Sequence, residues 1–217
     1  MNRGDEKPIR WVGSALDDLR DLPAAAQDDL GYQLGRAQQG LDPDDWKPMK
    51  DVGPGCREIR VHTPDGAFRT FYVAQFGEAI YVLHCLPQKD AEDLESRHRP
   101  RPTPLQGSPG VRTGEIMTDK DITETTSVWE AISDTPGEAY NRQLRADLMT
   151  AIRAQIDRFG WSQAVAADNL GVTQPRISDL HRGKLSKFSL DALVNLGSKV
   201  GVHLDVHIDT DRTLTGH

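Results

Sequence analysis

A cluster of basic side chains near the C-terminus has the composition needed to contact nucleic acid. Between positions 174 and 187, a local balance of +3 comes from four cations set against Asp179: Arg176, Arg182, Lys184 and Lys187. Such cations attract phosphate oxygens, while glutamine and arginine side chains can also pair with adenine and guanine edges in the major groove. The cluster therefore predicts a local contact with DNA.

The spacing of small and apolar residues around this cluster predicts a helix-turn-helix motif. With Gln163 counted as position one, there is a small residue at five, glycine at nine and apolar residues at fifteen and eighteen: Ala167, Gly171, Ile177 and Leu180. A small residue lets the second helix cross closely, glycine permits the tight turn, and apolar residues hold the second helix against a core. The alternative is an ordinary helical hairpin whose exposed charges are only solvated.

Capping residues support the motif and define the surface that would meet DNA. Ser162 and Thr173 are expected to cap the two helices, and Pro175 falls in the first turn of the second, where its missing N–H costs little. The residues predicted to contact DNA are Ser162, Gln163, Thr173, Gln174, Arg176, Ser178, Asp179, His181, Arg182, Lys184 and Lys187.

The flanking sequence predicts an all-α domain over residues 126–217 with a strand at its C-terminal end. Upstream, Thr135 is the expected cap of a long helix whose apolar residues recur every fourth position: Leu144, Leu148, Ile152 and Ile156. Downstream, Ser189 is the expected cap of a further helix. Residues 202–208 then alternate between apolar and polar side chains, which predicts a strand that pairs with another chain or another domain.

Residues 138–208 resemble the XRE-family (Cro/C1-type) helix-turn-helix antitoxins of HigA-like proteins. The resemblance covers about seventy residues and includes the motif at positions 163–180. It implies a homodimer that binds a palindromic operator in double-stranded DNA and represses its own operon.

The front of the chain, residues 1–87, predicts an α+β domain in which a helical hairpin packs on an antiparallel sheet. A strand at 9–12 precedes two helical stretches that end at Gly40, and period-two alternation then marks three strands, at 56–61, 68–73 and 79–86. Pro64-Asp65-Gly66 is a strong turn signal between the first two of these strands.

This front region is similar to HigB-like toxins of the RelE superfamily, of the phage Gp49-like type. The segments that carry the likeness are 9–14, 17–20, 31–34, 40–43, 47–50, 58–60, 68–72 and 79–84. The resemblance implies endonucleolytic cleavage of mRNA, usually on the ribosome. In such cleavage a ribose 2′-hydroxyl attacks the adjacent phosphate, so the protein must stabilise negative charge and move two protons.

Four residues are the catalytic candidates for that reaction. Arg60 and Arg69 are expected to clamp the phosphate, Lys50 to steer RNA, and His84 to carry a proton because an imidazole titrates near neutrality. The alternatives stay open: the arginines as ordinary outward-facing strand residues, and His84 as a packed, hydrogen-bonded core imidazole.

Residues 88–125 predict a disordered linker, since prolines and arginines alternate there and large aliphatic residues are few.

The likeness to the toxins breaks after Leu86. If the codons are read one base later, Leu86 can give Phe, Gln88-Lys89 can give a lysine pair, and Ile116 before Met117 can give a stop. The hypothesis is a frameshift fusion of a toxin gene with an antitoxin gene that began at Met117; the alternative is a linker of arbitrary sequence. The shift removes the toxin's terminal basic helix, so nuclease activity is expected to be impaired.

Composition limits the remaining functions. The chain has 217 residues and a net charge of −7, which excludes a uniformly basic nucleic-acid binder. No apolar run approaches the roughly 20 residues of a membrane span and no secretory signal is present, which predicts a cytoplasmic protein. Cys56 and Cys85 are too few for a disulfide framework or a zinc site, so buried free thiols and no metal or cofactor are expected.

The leading interpretation is a fused type II toxin–antitoxin chain. Its C-terminal domain is expected to bind operator DNA as an autorepressor and to neutralise the toxin half. The expected partners are operator DNA, mRNA and the ribosome for the toxin half, and a second copy of the chain. The toxin and antitoxin halves are also expected to contact each other, within one chain or between chains, and no membrane contact is expected. Two alternatives remain: an active ribosome-dependent endoribonuclease restrained in cis, and a degenerate module that only binds proteins.

Overall fold

The structure is a computed structural model that describes residues 6–74 and 78–88, here called the front half, and residues 122–205, the C-terminal half. The front half contains β1 (Ile9–Val12), α1 (Ala15–Arg20), α2 (Ala24–Gln38), β2 (Trp46–Pro48), β3 (Cys56–Thr63), β4 (Gly66–Val73) and β5 (Ile80–Pro87). The C-terminal half contains β6 (Ile122–Thr125), α3 (Val128–Ile132), α4 (Pro136–Arg158), α5 (Gln163–Leu170), α6 (Gln174–His181), a 3₁₀ turn (Leu185–Lys187) and α7 (Leu190–Lys199). Within these ranges, every helix is too short or too polar to span a bilayer.

The described strands form one sheet in the order β2-β3-β4-β5-β1-β6. β1 runs parallel to β5, and all the other neighbouring strands are antiparallel. The β3–β4 hairpin closes over Pro64 and Asp65, since Thr63 pairs with Gly66, so the turn predicted there is confirmed. The front half is therefore the predicted α+β domain with a helical hairpin on a largely antiparallel sheet.

One hydrophobic core runs through both halves. The helix α2 packs on β3 and buries Leu30, Leu34 and Ala37, whose spacing puts them on one side of the helix. The same buried cluster continues into the C-terminal half through Trp129 and Leu185. The two halves are thus packed together.

The C-terminal half has the predicted all-helical body. Leu148, Ile152 and Ile156 on α4 are buried, as their spacing of four predicts, and Leu144 packs partly buried against the same cluster. The side chains of Thr135, Ser162 and Ser189 accept capping hydrogen bonds at the starts of α4, α5 and α7. These caps are confirmed.

Two features differ from the sequence-based expectations. Residues 122–125 were predicted to belong to the linker, but they form β6, which pairs with β1 and covers the edge that β1 would otherwise expose. Residues 202–205 are irregular rather than extended, because a strand needs a hydrogen-bonded neighbour and none lies beside them in the described chain. The rest of that predicted strand, 206–208, and residues 89–121 of the linker lie outside the described residues.

Both cysteines are buried free thiols, as predicted. Burial raises the pKa of Cys56 to about 11 and that of Cys85 to about 12. Both side chains are therefore uncharged at neutral pH and behave as small apolar residues of the sheet.

Candidate nucleic-acid interfaces

The helices α5 and α6 and the turn between them form the helix-turn-helix that the residue spacing predicts. Gly171 ends α5 in the left-handed conformation, with φ +62°, which is the tight turn that glycine allows. Ala167 is buried where the two helices cross, and Ile177 and Leu180 are fully buried beneath α6. The second helix is therefore held rigidly on the core while its other side remains available.

The eleven predicted DNA-contacting residues divide by exposure. The exposed ones are Ser162, Gln163, Thr173, Gln174, Arg182 and Lys187. The half-buried ones are Arg176, Ser178, Asp179, His181 and Lys184. Thr173 occupies the N-cap position of α6, but among the described residues its side chain makes no capping hydrogen bond. The start of α6 and the residue just after its end are thus the most accessible parts of the motif.

Arg176 does not extend freely from α6. Its guanidinium carbon lies 4.0 Å from the centre of the buried Phe188 ring, a cation–π contact that fixes the position of the charged group. A side chain held in this way loses less rotamer entropy on binding than a free one. The stacking therefore gives the guanidinium group of Arg176 one defined orientation on α6.

Two of the predicted phosphate-binding lysines are already paired. Lys184 and Lys187 lie with their ammonium nitrogens 3.3 and 2.8 Å from the two carboxylate oxygens of Asp179. Burial of Asp179 alone would raise its pKa, but the hydrogen bonds from the two lysines outweigh this effect and lower it. Asp179 is therefore a local counter-ion.

His181, at the end of α6, lies close to Arg153 and Asp157 of α4 and to Asp44 of the front half. Burial, and then the positive charge of Arg153, lower the pKa of His181 below its usual value. His181 is half-buried, and its contact with a base stays a prediction.

The two arginines predicted to clamp phosphate face each other across β3 and β4, where Arg60 pairs in register with Arg69. Each is held by a carboxylate. A nitrogen of Arg60 lies 2.5 Å from Asp45 Oδ1, and Arg69 Nη1 donates to Glu58 Oε1 at 2.8 Å. Glu58 is fully buried, and Arg69 is nearly so, with its side chain 10% exposed.

Lys47 adds a third member to this buried charge cluster, with its Nζ 3.2 Å from the other oxygen of Glu58. The cluster Lys47–Glu58–Arg69 is therefore interpreted first as a group of ion pairs that stabilises the sheet. The predicted RNA-steering residue, Lys50, lies exposed in the loop between β2 and β3.

His84 is the sequence-predicted catalytic residue with the most suggestive surroundings. Its Nδ1 lies 2.6 Å from Asp18 Oδ2, and Ser14 Oγ donates to the same carboxylate oxygen at 3.2 Å. The His84 side chain is 43% exposed rather than packed in the core. A register shift opposite Phe71 and Tyr72 brings an extra residue into β5 at this point, and such bulges redirect side chains near functional sites.

Sequence reasoning missed Asp18 as a functional residue. Asp18 lies within one of the segments that carry the likeness to the toxins, which was the available signal. However, it is 66 residues away from His84 in sequence, and only the folded chain shows that α1 brings it to β5.

Contact between the two halves was expected from the sequence, but the residues that make it were not. Asp28 and Asp44 of the front half receive Arg145 and Arg153 of α4, at 3.1 and 2.5 Å. Asp29 Oδ1 accepts the backbone N–H of Ser186 at 2.9 Å. Burial raises the pKa of Asp29 to about 6, against the opposing effect of that hydrogen bond.

Gly183, just after α6, fits against the ring of Tyr32 from the front half. A Cβ added at Gly183 would lie 2.5 Å from two ring carbons of Tyr32 and 2.6 Å from the side-chain nitrogen of Gln33. The front half therefore contacts the C-terminal half just after the end of α6.

Each half is similar to a known protein family. Residues 17–99 match the family model described as "Phage derived protein Gp49-like (DUF891)", and residues 131–209 match the model of a "Helix-turn-helix domain". No curated protein matches the chain significantly. The two matches confirm the predicted order of a Gp49-like domain of the RelE superfamily followed by a helix-turn-helix domain, which is consistent with a fused toxin–antitoxin chain. The first match continues past Leu86, where the likeness was expected to end.

Proposed function

We propose that this chain is a toxin–antitoxin fusion whose C-terminal half binds its own operator and represses transcription. The same half restrains the Gp49-like half in cis. The helix-turn-helix match supports DNA binding in general; operator choice, autorepression and neutralisation are the parts proposed here.

The observation that carries the proposal is that α6 is buried on one side and exposed at its N-terminal end. Ile177 and Leu180 anchor the helix on the core, while Thr173 and Gln174 at its start remain exposed. In helix-turn-helix proteins the first residues of the second helix are those that contact base edges. Gln174 is thus the foremost candidate for reading adenine.

Phosphate contacts would come from the residues around the reading helix. Arg182 and Lys187 are exposed, and Ser162 and Gln163 at the start of α5 lie exposed as well. Because one such domain reads only a short half-site, the proposal includes a homodimer on a two-fold symmetric operator. The local charge of this surface suits DNA although the whole chain is acidic.

A reporter gene placed behind the chain's own upstream sequence tests repression in cells. The full chain should lower reporter output, and Gln174→Ala should restore it because the base contact is lost. The matched control is Gln155→Ala, which removes the same side chain from α4, outside the motif. Equal repression by Gln174→Ala and the wild type would contradict the proposal.

Restraint in cis is supported by the extent of the contact between the halves. Apolar packing of Trp129, the ion pairs of Arg145 and Arg153, and the fit of Gly183 against Tyr32 all join them. Expression of residues 1–116 alone tests the restraint, with the full chain as control. Growth arrest with cleaved mRNA only for the short chain supports a restrained nuclease, whereas healthy cells count against it.

An endoribonuclease activity is the second candidate, and the His84–Asp18 pair favours it. With Asp18 on Nδ1, the outer nitrogen Nε2 is left to take the proton of a ribose 2′-hydroxyl as that oxygen attacks phosphorus. The P–O5′ bond then breaks to give a 2′,3′-cyclic phosphate, and the leaving 5′ oxygen takes a proton from solvent water. Asp18→Asn within residues 1–116 should then reduce mRNA cleavage, while Asp17→Asn, on the preceding residue of α1, should not. Equal cleavage by both variants would remove the role assigned to Asp18.

A further inference from the structure

The first eleven described residues of the C-terminal half form a docking segment, Ile122–Ile132, that lies on the front half before the helix-turn-helix body begins. It consists of β6, a short corner and α3. We propose that the front half carries a peptide-recognition cleft for which this segment is the ligand. The ligand class is a strand of four residues followed by a one-turn helix that bears Trp and Ile. The inference deepens the proposed restraint in cis and rests on it.

The first wall of the cleft is the edge strand β1. The docking segment adds to it as an antiparallel strand, with Ile9 opposite Thr125 and Val12 opposite Ile122. Addition of a strand to an open sheet edge is a common mode of peptide recognition, since the backbone hydrogen bonds supply affinity. A side-chain hydrogen bond from Trp11 Nε1 to Thr125 Oγ1, at 3.0 Å, fixes the register.

The second wall is the side chain of Gln38, which hydrogen-bonds the backbone at the corner between β6 and α3. Gln38 is buried at 2% exposure; its Nε2 donates to the carbonyl oxygen of Thr126 at 3.0 Å, and its Oε1 accepts the backbone N–H of Val128 at 3.2 Å. Departure of the segment removes both of these partners from the amide. A buried polar group in this position favours a backbone turn of this shape over an arbitrary apolar contact.

The third wall is a notch over Gly31 in α2 that receives the Trp129 ring. A Cβ at Gly31 would lie 2.8 Å from Trp129 Cζ3 and 3.0 Å from Ile132 Cδ1, so only glycine leaves room for the two side chains. Arg20 Nε closes the end of the cleft by donating to the carbonyl oxygen of Ala131 at 2.8 Å. A carbonyl in the last turn of so short a helix has no partner within the helix itself, and Arg20 supplies one.

The helix-turn-helix body is attached by ion pairs as well as by the fit of Gly183 against Tyr32. Its ion pairs, Arg145 with Asp28 and Arg153 with Asp44, join side chains that are 12–15% exposed. The bidentate pair of Arg153 with Asp44 and the fit of Gly183 against Tyr32 are geometrically specific as well. The docking segment differs from them in being short and contiguous, so a synthetic peptide can reproduce its strand register and its aromatic anchor.

Peptide binding to the full-length chain tests the cleft. The probe is a fluorescein-labelled synthetic peptide of residues 121–133. Wild-type chain should bind little, because its own segment fills the cleft, whereas the Trp129→Glu variant should bind the probe in trans. A peptide in which the tryptophan is replaced by alanine should bind about thirtyfold more weakly or worse, the loss typical of a buried aromatic anchor.

Two glycines of α2 supply the matched control in the Trp129→Glu background. Gly31→Ala should weaken probe binding by about tenfold or more through its clash with the tryptophan ring. Gly35→Ala should not, since its Cβ would meet Trp129 only at 3.9 Å. Equal binding by the two alanine variants overturns the proposal. So does a Trp129→Glu chain whose β4 and β5 amides remain protected but which does not bind the probe.

Hydrogen exchange on the wild-type chain keeps the proposal testable if Trp129→Glu fails to fold. The amides of residues 122–132 should exchange together, and faster than those of β4 and α4, because a docked segment can leave without global unfolding. Exchange of all three regions at one common rate would overturn the proposal. Neither readout involves DNA or RNA, so failure here leaves operator binding untested, and failure of operator binding leaves the cleft standing.

Discussion

The arginines of the sheet and those at the helix α6 are held in different ways. On the sheet, Arg69 is committed to the buried Glu58, and Arg60 is held by Asp45. On the helix-turn-helix, Arg182 stays exposed and Arg176 is stacked on an aromatic ring with its charge unneutralised by that contact. An arginine in a strand is therefore free to bind a ligand only when no carboxylate side chain lies beside it in the folded sheet. The sequence of that strand alone does not show whether such a carboxylate is present.

The cause of the difference lies in the geometry of the elements. A strand in the middle of a sheet has neighbours on both sides within about 5 Å, so a charged side chain there meets cross-strand partners. A short helix anchored by two apolar residues has most of its circumference free. The short helix α6 can thus leave Arg176 and the adjacent Arg182 available, whereas the sheet pairs its arginines with carboxylates.

The largest effect should come from Glu58→Ala, within the sheet of the front half. Removing this carboxylate leaves the nearly buried Arg69 without that partner, and the free energy of unfolding should fall by about 3–5 kcal/mol. Asp45→Ala, which removes the half-exposed partner of Arg60, should cost less than about 1 kcal/mol. Urea unfolding measures both variants; equal losses would mean that the sheet does not depend on its buried pair.

The contact between the halves should show in a pair of glycine variants. Gly183 and Gly160 have nearly the same backbone, with φ +62° and +65°, but only Gly183 has Tyr32 against it. Gly160→Ala should therefore lose about 1–2 kcal/mol of stability from backbone strain alone. Gly183→Ala should lose about 1–3 kcal/mol more through overpacking. Thermal or urea unfolding decides; matching losses would show that the halves are not packed together there.

A smaller effect is expected for operator binding when arginine is truncated in each half. Arg176→Ala should weaken binding to the upstream DNA by about 1–3 kcal/mol, the range for a lost base contact. Arg60→Ala changes the net charge equally but lies on the sheet, so its affinity should stay within about 0.5 kcal/mol of wild type. Anisotropy titrations at one salt concentration measure both. Unchanged affinity for Arg176→Ala would assign that side chain to packing on Phe188 instead.

The smallest effect should be an increase in DNA affinity. Asp179→Asn releases Lys184 and Lys187 from their counter-ion, so non-specific DNA should bind more tightly, by less than about 1 kcal/mol, and with a steeper salt dependence. The measurement is affinity for a scrambled duplex over a range of salt concentrations. Weaker binding by this variant would show that Asp179 itself contacts the DNA.

Features set by local sequence could be predicted, and those set by distant contacts could not. The spacing from Ala167 to Leu180 and the caps Ser162 and Ser189 depend on neighbouring residues, and the structure places them as expected. The partner of His84 lies 66 residues away, and β6 joins β1 across more than a hundred positions. Since alternation alone does not say which strands are neighbours, both contacts required the folded chain.

The same reason explains the two sequence-based expectations about the ends of the C-terminal half. Residues 122–125 have a polar pattern that resembles a linker, yet they are extended because β1 offers an edge. Residues 202–205 have the better strand pattern, but in the described chain they lie beside no strand. In both cases the neighbour decided the conformation.

Specific DNA binding by α6 is the central claim, and a competition titration tests it most directly. Full-length chain is titrated against a labelled duplex from its own upstream region and against a scrambled duplex of equal length, at one near-physiological salt concentration. The upstream duplex should bind about a thousandfold more tightly or better, and Gln174→Ala should reduce that ratio. Equal affinities for the two duplexes, with the ratio unaltered by Gln174→Ala, would contradict a reading role for α6.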